Sequence, residues 1–227
     1  MTPTLLDILA RIPLAEGIHD SPEGRLCVME CVAYVMGAEH TDRPACACPI
    51  VTAVAIYAND DRLKDCGPAL ARRILRLAGS RRDLDTQIRR TYFLADFLFR
   101  TLVPSCLGPA HASLARQFRD MQPLQDFDDL DDFFPLVDAL KPDVLEWGGV
   151  CQRVLAGMQY SRFTEVADNV AQAFSESDAD FDVVALLDKL MSIGEAPDVP
   201  VTLDLERRIE ELATRGRPGS SRLTLVA

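Results

Sequence analysis

The chain of 227 residues predicts an all-α fold. Three observations lead there. Apolar residues recur three and four positions apart through most of the sequence, the period of a half-buried helix. Residues suited to opening and closing helices punctuate that pattern, with Thr4, Pro49, Asp83 and Thr202 at starts and Gly37 and Gly79 at ends. No stretch alternates apolar and polar residues over a useful strand length. The expectation is a single compact multi-helix domain of about nine or ten helices, with two helical subdomains as the variant.

The elements follow in order. Thr4 caps a short helix, Leu5 to Arg11, stopped near Pro13. A second runs from about Gly24 to Met36 and ends at Gly37, a left-handed terminator. After the connector AEHTDRPACAC, Pro49 suits the first turn of a third helix, IVTAVAIYAND, with Ile50, Val51, Val54, Ala55 and Ala58 on one stripe. Asp61 or Asp65 opens the next helical region, with Pro68 early in it and Gly79 at its end. Asp83 and Asp85 favour the positive end of a long helix through Val103, striped by Ile88, Tyr92, Ala95, Phe99 and Leu102. Helices over Cys106–Phe118, Leu130–Leu140, Asp143–Met158, Phe163–Phe174 and Phe181–Met191 come next, the third of these weakened by Gly148, Gly149 and Gly157. Thr202 caps the last, to about Thr214, and residues 216–227 read as a flexible tail.

Charge divides the chain. Residues 1–119 hold 15 basic and 13 acidic groups, a net of +2, and residues 120–227 hold 9 and 22, a net of −13. The expected organisation is a near-neutral helical region, 1–119, and an acidic helical region, 120–215, packed on it. The imbalance fits attraction between the halves, or a basic protein partner, and disfavours nucleic acid, whose phosphates the acidic surface repels. The longest apolar run, Cys27 to Gly37, is short of a membrane span and is interrupted by Glu30. The start MTPTLLDILARIP lacks a basic lead and an apolar core, so it does not read as a secretory signal. A cytoplasmic protein with its seven cysteines reduced is the expectation. Arginine outnumbers lysine 21 to 3, which reads as coding bias and carries no mechanism.

Chemistry-bearing residues concentrate in residues 19–49. Cys27, Glu30, Cys31 and Tyr34 share one face of a helix. Cys27, Cys31, His40, Cys46 and Cys48 are the candidate metal ligands, and zinc is the ion that thiolates and imidazole would take. Their C-x3-C and C-x-C spacings depart from the C-x2-C knuckle, so small buried cysteines are the favoured reading and no cofactor is expected. Glu30 stands among Leu26, Val28, Met29, Val32 and Ala33. A carboxylate there is either a base with a raised pKa or the partner of an arginine, and the ion pair is favoured.

The candidate catalytic residues are Cys27, Glu30 and Asp42, with His19 or His40 as the base for a Cys27 nucleophile. His19-Asp20-Ser21 cannot converge as a triad because the three are adjacent. Asp20 or Ser21 reads better as a helix cap, and Thr41 or Asp42 as the cap of a turn. The dense arginines at 72, 73, 76, 81, 82, 89 and 90 suit phosphate, or pairing with the acidic run DFDDLDDFF. That run lacks the glycine and terminal glutamate of an EF-hand. Its Asp126, Asp128, Asp129, Asp131 and Asp132, with Phe133 as apolar anchor, form the candidate partner-binding patch. No phosphate loop, dinucleotide fingerprint, HExxH or GxSxG occurs.

The segment HDSPEGRLCVMECVAYVMGAEHTDRPACACPI, followed by Asn59-Asp60 and Arg62, resembles a family of uncharacterised proteins of actinobacteria and their phages. The resemblance covers about residues 18–80. It implies that Cys27, Glu30, Asp42, Pro44 and Cys46 belong to a characteristic motif, and it supplies a role for none of them. Arg25 stands where a small or apolar residue would fit that pattern. The functional expectation is an interaction or regulatory protein whose acidic C-terminal half meets a partner, homo-oligomers included. The alternative is a metal- or thiol-dependent enzyme built on Cys27, Glu30, Asp42 and Cys46.

Overall fold

A computed structural model describes residues 4–142, 144–194 and 199–215. The fold is all-α, and among the described residues β-pairing is limited to an isolated parallel bridge between Leu14 and Leu26. The helices are α1 (Leu5–Leu9), α2 (Val28–Met36), α3 (Pro49–Asp61), α4 (Leu63–Ala71), α5 (Ile74–Ala78), α6 (Leu84–Phe97), α7 (Val103–Cys106), α8 (Ala112–Asp120), α9 (Phe134–Asp138), α10 (Gly148–Gln159), α11 (Phe163–Glu176), α12 (Val183–Ser192) and α13 (Leu203–Thr214). Helix α3 is the hub. It is buried around most of its circumference and packs against α2, α4, α6, α11 and α12, as expected of a helix whose apolar residues are not confined to one stripe. Helix α13 returns from the far end of the chain to lie on α1 and α2. Buried side chains from both halves of the chain belong to one contiguous cluster.

Several elements are shorter or more broken than the periodicity predicts. Helix α1 stops at Leu9, with Thr4 and Asp7 forming a reciprocal capping box. Helix α2 begins at Val28, not near Gly24, because Cys27 is its N-cap and the preceding residues pair with Leu14. The predicted long helix to Val103 runs through α6 and then one π turn, Leu98–Leu102, into α7. There the amide of Val103 bonds the carbonyl of Leu98, five residues back. Pro104 explains this turn: it has no amide to give the Arg100 carbonyl, and its ring crowds that position. Gly108-Pro109 breaks the expected Cys106–Phe118 helix into α7, a 3₁₀ turn at Pro109–His111, and α8. Leu130–Leu140 resolves into a 3₁₀ turn, Asp128–Asp132, and α9. Pro68 lies in the interior of α4, since that helix already starts at Leu63. Helix α10 begins at Gly148; Asp143, its predicted start, and the predicted tail 216–227 lie outside the described residues.

The glycines that weaken the sequence reading of α10 have packing reasons. A Cβ on Gly148 would sit 2.0 Å from the Leu140 carbonyl oxygen, and one on Gly157 would sit 2.7 Å from Val166 of α11. They let α10 approach its neighbours closely. Four rings, Tyr57, Phe97, Phe174 and Phe181, tie α3, α6, α11 and the start of α12 together, with centroids 4.9 to 6.1 Å apart. Such pairs contribute about 0.5–1.5 kcal/mol each beyond their area. Arg90 is wholly buried, and its guanidinium donates to the carbonyls of Ser80 at 2.6 Å and Ile193 at 2.9 Å. Ile193 is the C-cap of α12, so the cation meets the negative end of a helix.

The arginine stretch pairs inside the fold with a partner other than the expected acidic run. Arg73 and Arg76 both reach Asp188 of α12, and Arg89 reaches Asp85. The run at 126–132 does not supply these contacts; two of its carboxylates instead bond the amides of their own turn, Asp129 accepting from Gln125 and Asp126, and Asp126 from Asp128 and Asp129.

Two neighbouring glycines separate space from propensity. Gly148→Ala is expected to destabilise by about 1–3 kcal/mol through overpacking. Gly149→Ala, whose Cβ meets nothing within 4 Å, is expected to stabilise by about 0.5–1 kcal/mol. Urea denaturation of the two variants beside the parent protein checks the opposite signs.

Candidate functional site

The segment rich in cysteine and histidine folds around Glu30. Helix α2 has Cys27 at its N-cap and Glu30 at its third position, and the two form a capping box. The Cys27 thiol sulfur accepts from the Glu30 amide at 3.4 Å, and a Glu30 carboxylate oxygen accepts from the Cys27 amide at 2.8 Å. The side chain of Glu30 is fully buried. It takes two more bonds from His19, from the amide at 2.7 Å and from Nδ1 at 2.8 Å. His40 stands behind, with Nε2 3.6 Å from Glu30 and 2.5 Å from the His19 carbonyl oxygen. A carbonyl only accepts, so Nε2 of His40 carries its proton.

Among the described residues no arginine pairs with Glu30, which corrects the ion pair expected from sequence; its partners are two amides and the His19 imidazole. The reason is position. Glu30 lies at the helix N-terminus, where unbonded amides point at it, and the 19–26 loop brings His19 over the same spot. Burial raises its pKa, but the amides of His19 and Cys27 and the imidazole outweigh burial, and the carboxyl is held below the usual glutamate value. The raised-pKa base is therefore also set aside. Burial, with the neighbouring Glu30 carboxylate adding to it, pushes the Cys27 thiol up to about 12. It stays protonated near neutral pH and is no ready nucleophile.

The other predicted residues scatter. Burial raises the Cys31 thiol still further. Cys48 is buried as the N-cap of α3, its amide bonded to Ser80, and Cys46 is half-buried beside it. Cys27, Cys31, His40, Cys46 and Cys48 do not assemble: among the described residues no three His, Cys, Asp or Glu side chains are grouped to hold a metal ion. Asp42 is half-buried and makes no bond to Glu30, His19 or His40, and Thr41 caps the turn by accepting from the Arg43 amide. Ser21 likewise accepts from the Glu23 amide in a turn, where a helix start was expected. Phe133 is in the core, so it is no surface anchor; Phe127, six residues earlier, is 52% exposed. Asp126, Asp128, Asp131 and Asp132 are exposed and Asp129 is half-buried.

Residues distant in sequence complete the surroundings. Asn59 is buried and caps α2 from outside, accepting from the Val28 amide at 3.0 Å and donating to the Ala15 carbonyl at 2.8 Å. Asp60 accepts from the Gly17 amide at 2.9 Å. The Asn-Asp pair of the motif thus ties the 15–19 strand of chain to α2. From α13, Glu211 accepts from the Tyr34 hydroxyl at 2.6 Å, and Arg208 reaches the last carbonyls of α2. Gly37 ends α2 in a left-handed conformation, and a Cβ there would strike Arg208 at 2.0 Å. Arg215 lies over the Tyr34 ring at 4.3 Å and donates to the Pro22 carbonyl. Between α2 and α13 remains a cleft of about 280 Å³, walled in part by Tyr34, His40, Arg208 and Glu211. Nothing in the spacing of residues 19–60 signals the return of α13.

Comparison with known proteins adds no family. No protein-family model, curated protein or solved structure matches the chain. Among the described residues, no helix is long and apolar enough to cross a membrane.

Glu30 gives stability a defined pH dependence. Its pKa is lowered on folding, so the stability it contributes is complete above the ordinary glutamate range and is lost as pH falls through the lowered value. Glu30→Gln keeps one acceptor but points an NH₂ group at an amide donor, and is expected to cost about 2 kcal/mol at pH 7. The gap between parent and variant should narrow on acidification. Denaturation at a series of pH values measures it, and a gap that stays constant below pH 4 would contradict the assignment.

Proposed function

We propose that the chain is an interaction protein that offers the acidic face of its C-terminal half, residues 120–215, to a basic protein partner. One observation carries the reading. The turn at 126–132 exposes a concentrated negative charge, most of which the fold does not use. Asp126 and Asp129 accept from amides of their own turn, Asp128, Asp131 and Asp132 are exposed, and none of the five forms an ion pair with a described cation. Leu130 and Phe133 anchor the turn in the core while Phe127 projects among the carboxylates. A rigid acidic surface with one apolar anchor suits a basic partner: charge steers the encounter and the ring supplies burial. The resemblance of residues 18–80 supports an origin among actinobacteria and their phages. The composition supports a cytoplasmic setting with reduced thiols, and all seven cysteines are free.

A second reading has one observation in its favour. Glu30 holds the His19 ring through Nδ1, the way a carboxylate orients a general base. An enzyme reading therefore moves from Cys27, Asp42 and Cys46 to His19 and His40. It lacks a nucleophile, since the nearby thiol of Cys27 is buried and stays protonated.

The interaction reading is tested by affinity capture from lysate of the source organism at about 0.15 M salt. Replacing Asp128, Asp131 and Asp132 with Asn, together with Phe127→Ser, is expected to remove the captured partner, while Asp138→Asn leaves it in place. Capture that survives both the substitutions and a rise to about 1 M salt would end the electrostatic account.

A further inference from the structure

A groove follows α11 and the segment after it, first against α3 and then against residues 144–147. Three adjoining concavities form it. The first, about 440 Å³, is walled by Ile56, Asp60, Asp61 and Asp168. It shares Tyr57, Asp61 and Ser175 with the second, about 280 Å³, which includes Asp178 and Asp180. Asp178 and Ala179 lead into the third, about 420 Å³, walled by Glu146, Trp147 and Glu176.

The groove is negative along its length. Two cations reach it and both are committed: Arg43 to Asp168 at 3.0 Å, and Arg62 to Asp65 and Asp180 at 3.3 Å. The remaining carboxylates have no cation among the described residues. Asp61 accepts from the Ser175 hydroxyl, Glu176 from the Gln172 amide group, and Asp60 from Gly17 and Asn59. Glu146 and Asp178 have no hydrogen-bond or ion-pair partner among the described residues. These charges are spaced out and do not converge, so no group of three is placed to hold a metal ion. A single ion therefore does not fit, and a ligand with positive charges distributed along a chain does. Between the carboxylates the half-buried Ile56 offers apolar surface on which the stem of a lysine or arginine side chain can lie, while Tyr57 and Trp147 are buried beneath the floor.

We propose that this groove holds an extended basic peptide segment of a partner protein. The inference rests on the reading that the chain faces a basic partner, and it adds a second contact, apart from the 126–132 turn and shared by both halves of the chain, for one extended segment of that partner. Charge complementarity favours the polycation, and the concave path favours an extended chain over a folded surface.

The test is fluorescence anisotropy with a labelled ten-residue peptide of alternating arginine and alanine, at about 0.15 M salt, where long-range attraction is screened. The groove variant combines Asp61→Asn, Glu146→Gln and Asp178→Asn. The comparison variant removes the same number of charges elsewhere, with Asp128, Asp131 and Asp132 changed to Asn. The expected result is saturable binding that the groove variant weakens at least tenfold and the comparison variant changes by less than threefold. Ala179→Arg, which obstructs the junction of the second and third concavities, should also weaken binding tenfold, and thermal melts confirm that each variant is folded. Equal loss in both triple variants would reduce the effect to general attraction and overturn the groove. Loss only in the 128–132 variant would overturn the groove while leaving the proposed function standing. No saturable binding to the parent protein would overturn the groove as well.

Discussion

The carboxylate of Glu30 is the constraint on which the N-terminal third depends. An ionised group removed from water costs several kcal/mol unless its lone pairs are filled. Here three donors fill them: two amides and one imidazole, at 2.7 to 2.8 Å. The same three bonds fix the start of α2, the position of the 19–26 loop and the orientation of His19. His40 then follows from the His19 carbonyl, and the connector after α2 is carried into place. The cleft beneath α13 is bounded by residues that these bonds position.

Glu30, Asn59 and Arg90 follow one logic. Glu30 and Asn59 satisfy amides at the start of α2, and Arg90 satisfies carbonyls after α5 and at the end of α12. Each answers the orphan groups of a helix end inside the protein, where water cannot. The largest buried polar side chains thus record how short helices are terminated within one core. Charge beyond that need collects outside, at the 126–132 turn and along the groove beside α11. The acidic excess can therefore act on a partner without disturbing what holds the fold together.

Fold class was legible because helical periodicity and caps agree over most of the chain, from Thr4 through Gly37 and Pro49 to Thr202. Boundaries were less so. Pro104 reads as a stop, yet the chain passes it through a π turn, because a proline needs one lost bond accommodated and not a break. Gly148 and Gly157 weaken a helical reading in isolation and are required once α10 packs against Leu140 and α11. The burial of Glu30 was legible from its apolar neighbours, but its partner was not. Arginine is abundant in the sequence, while the decisive donors are backbone amides, which no side-chain pattern reports. Phe133 and Phe127 look equivalent in the run DFDDLDDFF, and only the register of the 3₁₀ turn decides which is buried. The groove carboxylates Glu146 and Asp178 lie 32 residues apart in sequence, and helix packing alone brings them to one surface.

The most direct measurement is a carbon-13 NMR titration of the Glu30 side-chain carboxyl in the intact chain. The account predicts a midpoint below the ordinary glutamate value, moving upward in His19→Gln as the imidazole bond is lost. A midpoint above that value, or one indifferent to His19, would show that the buried carboxylate is not held ionised by these donors and would contradict the account.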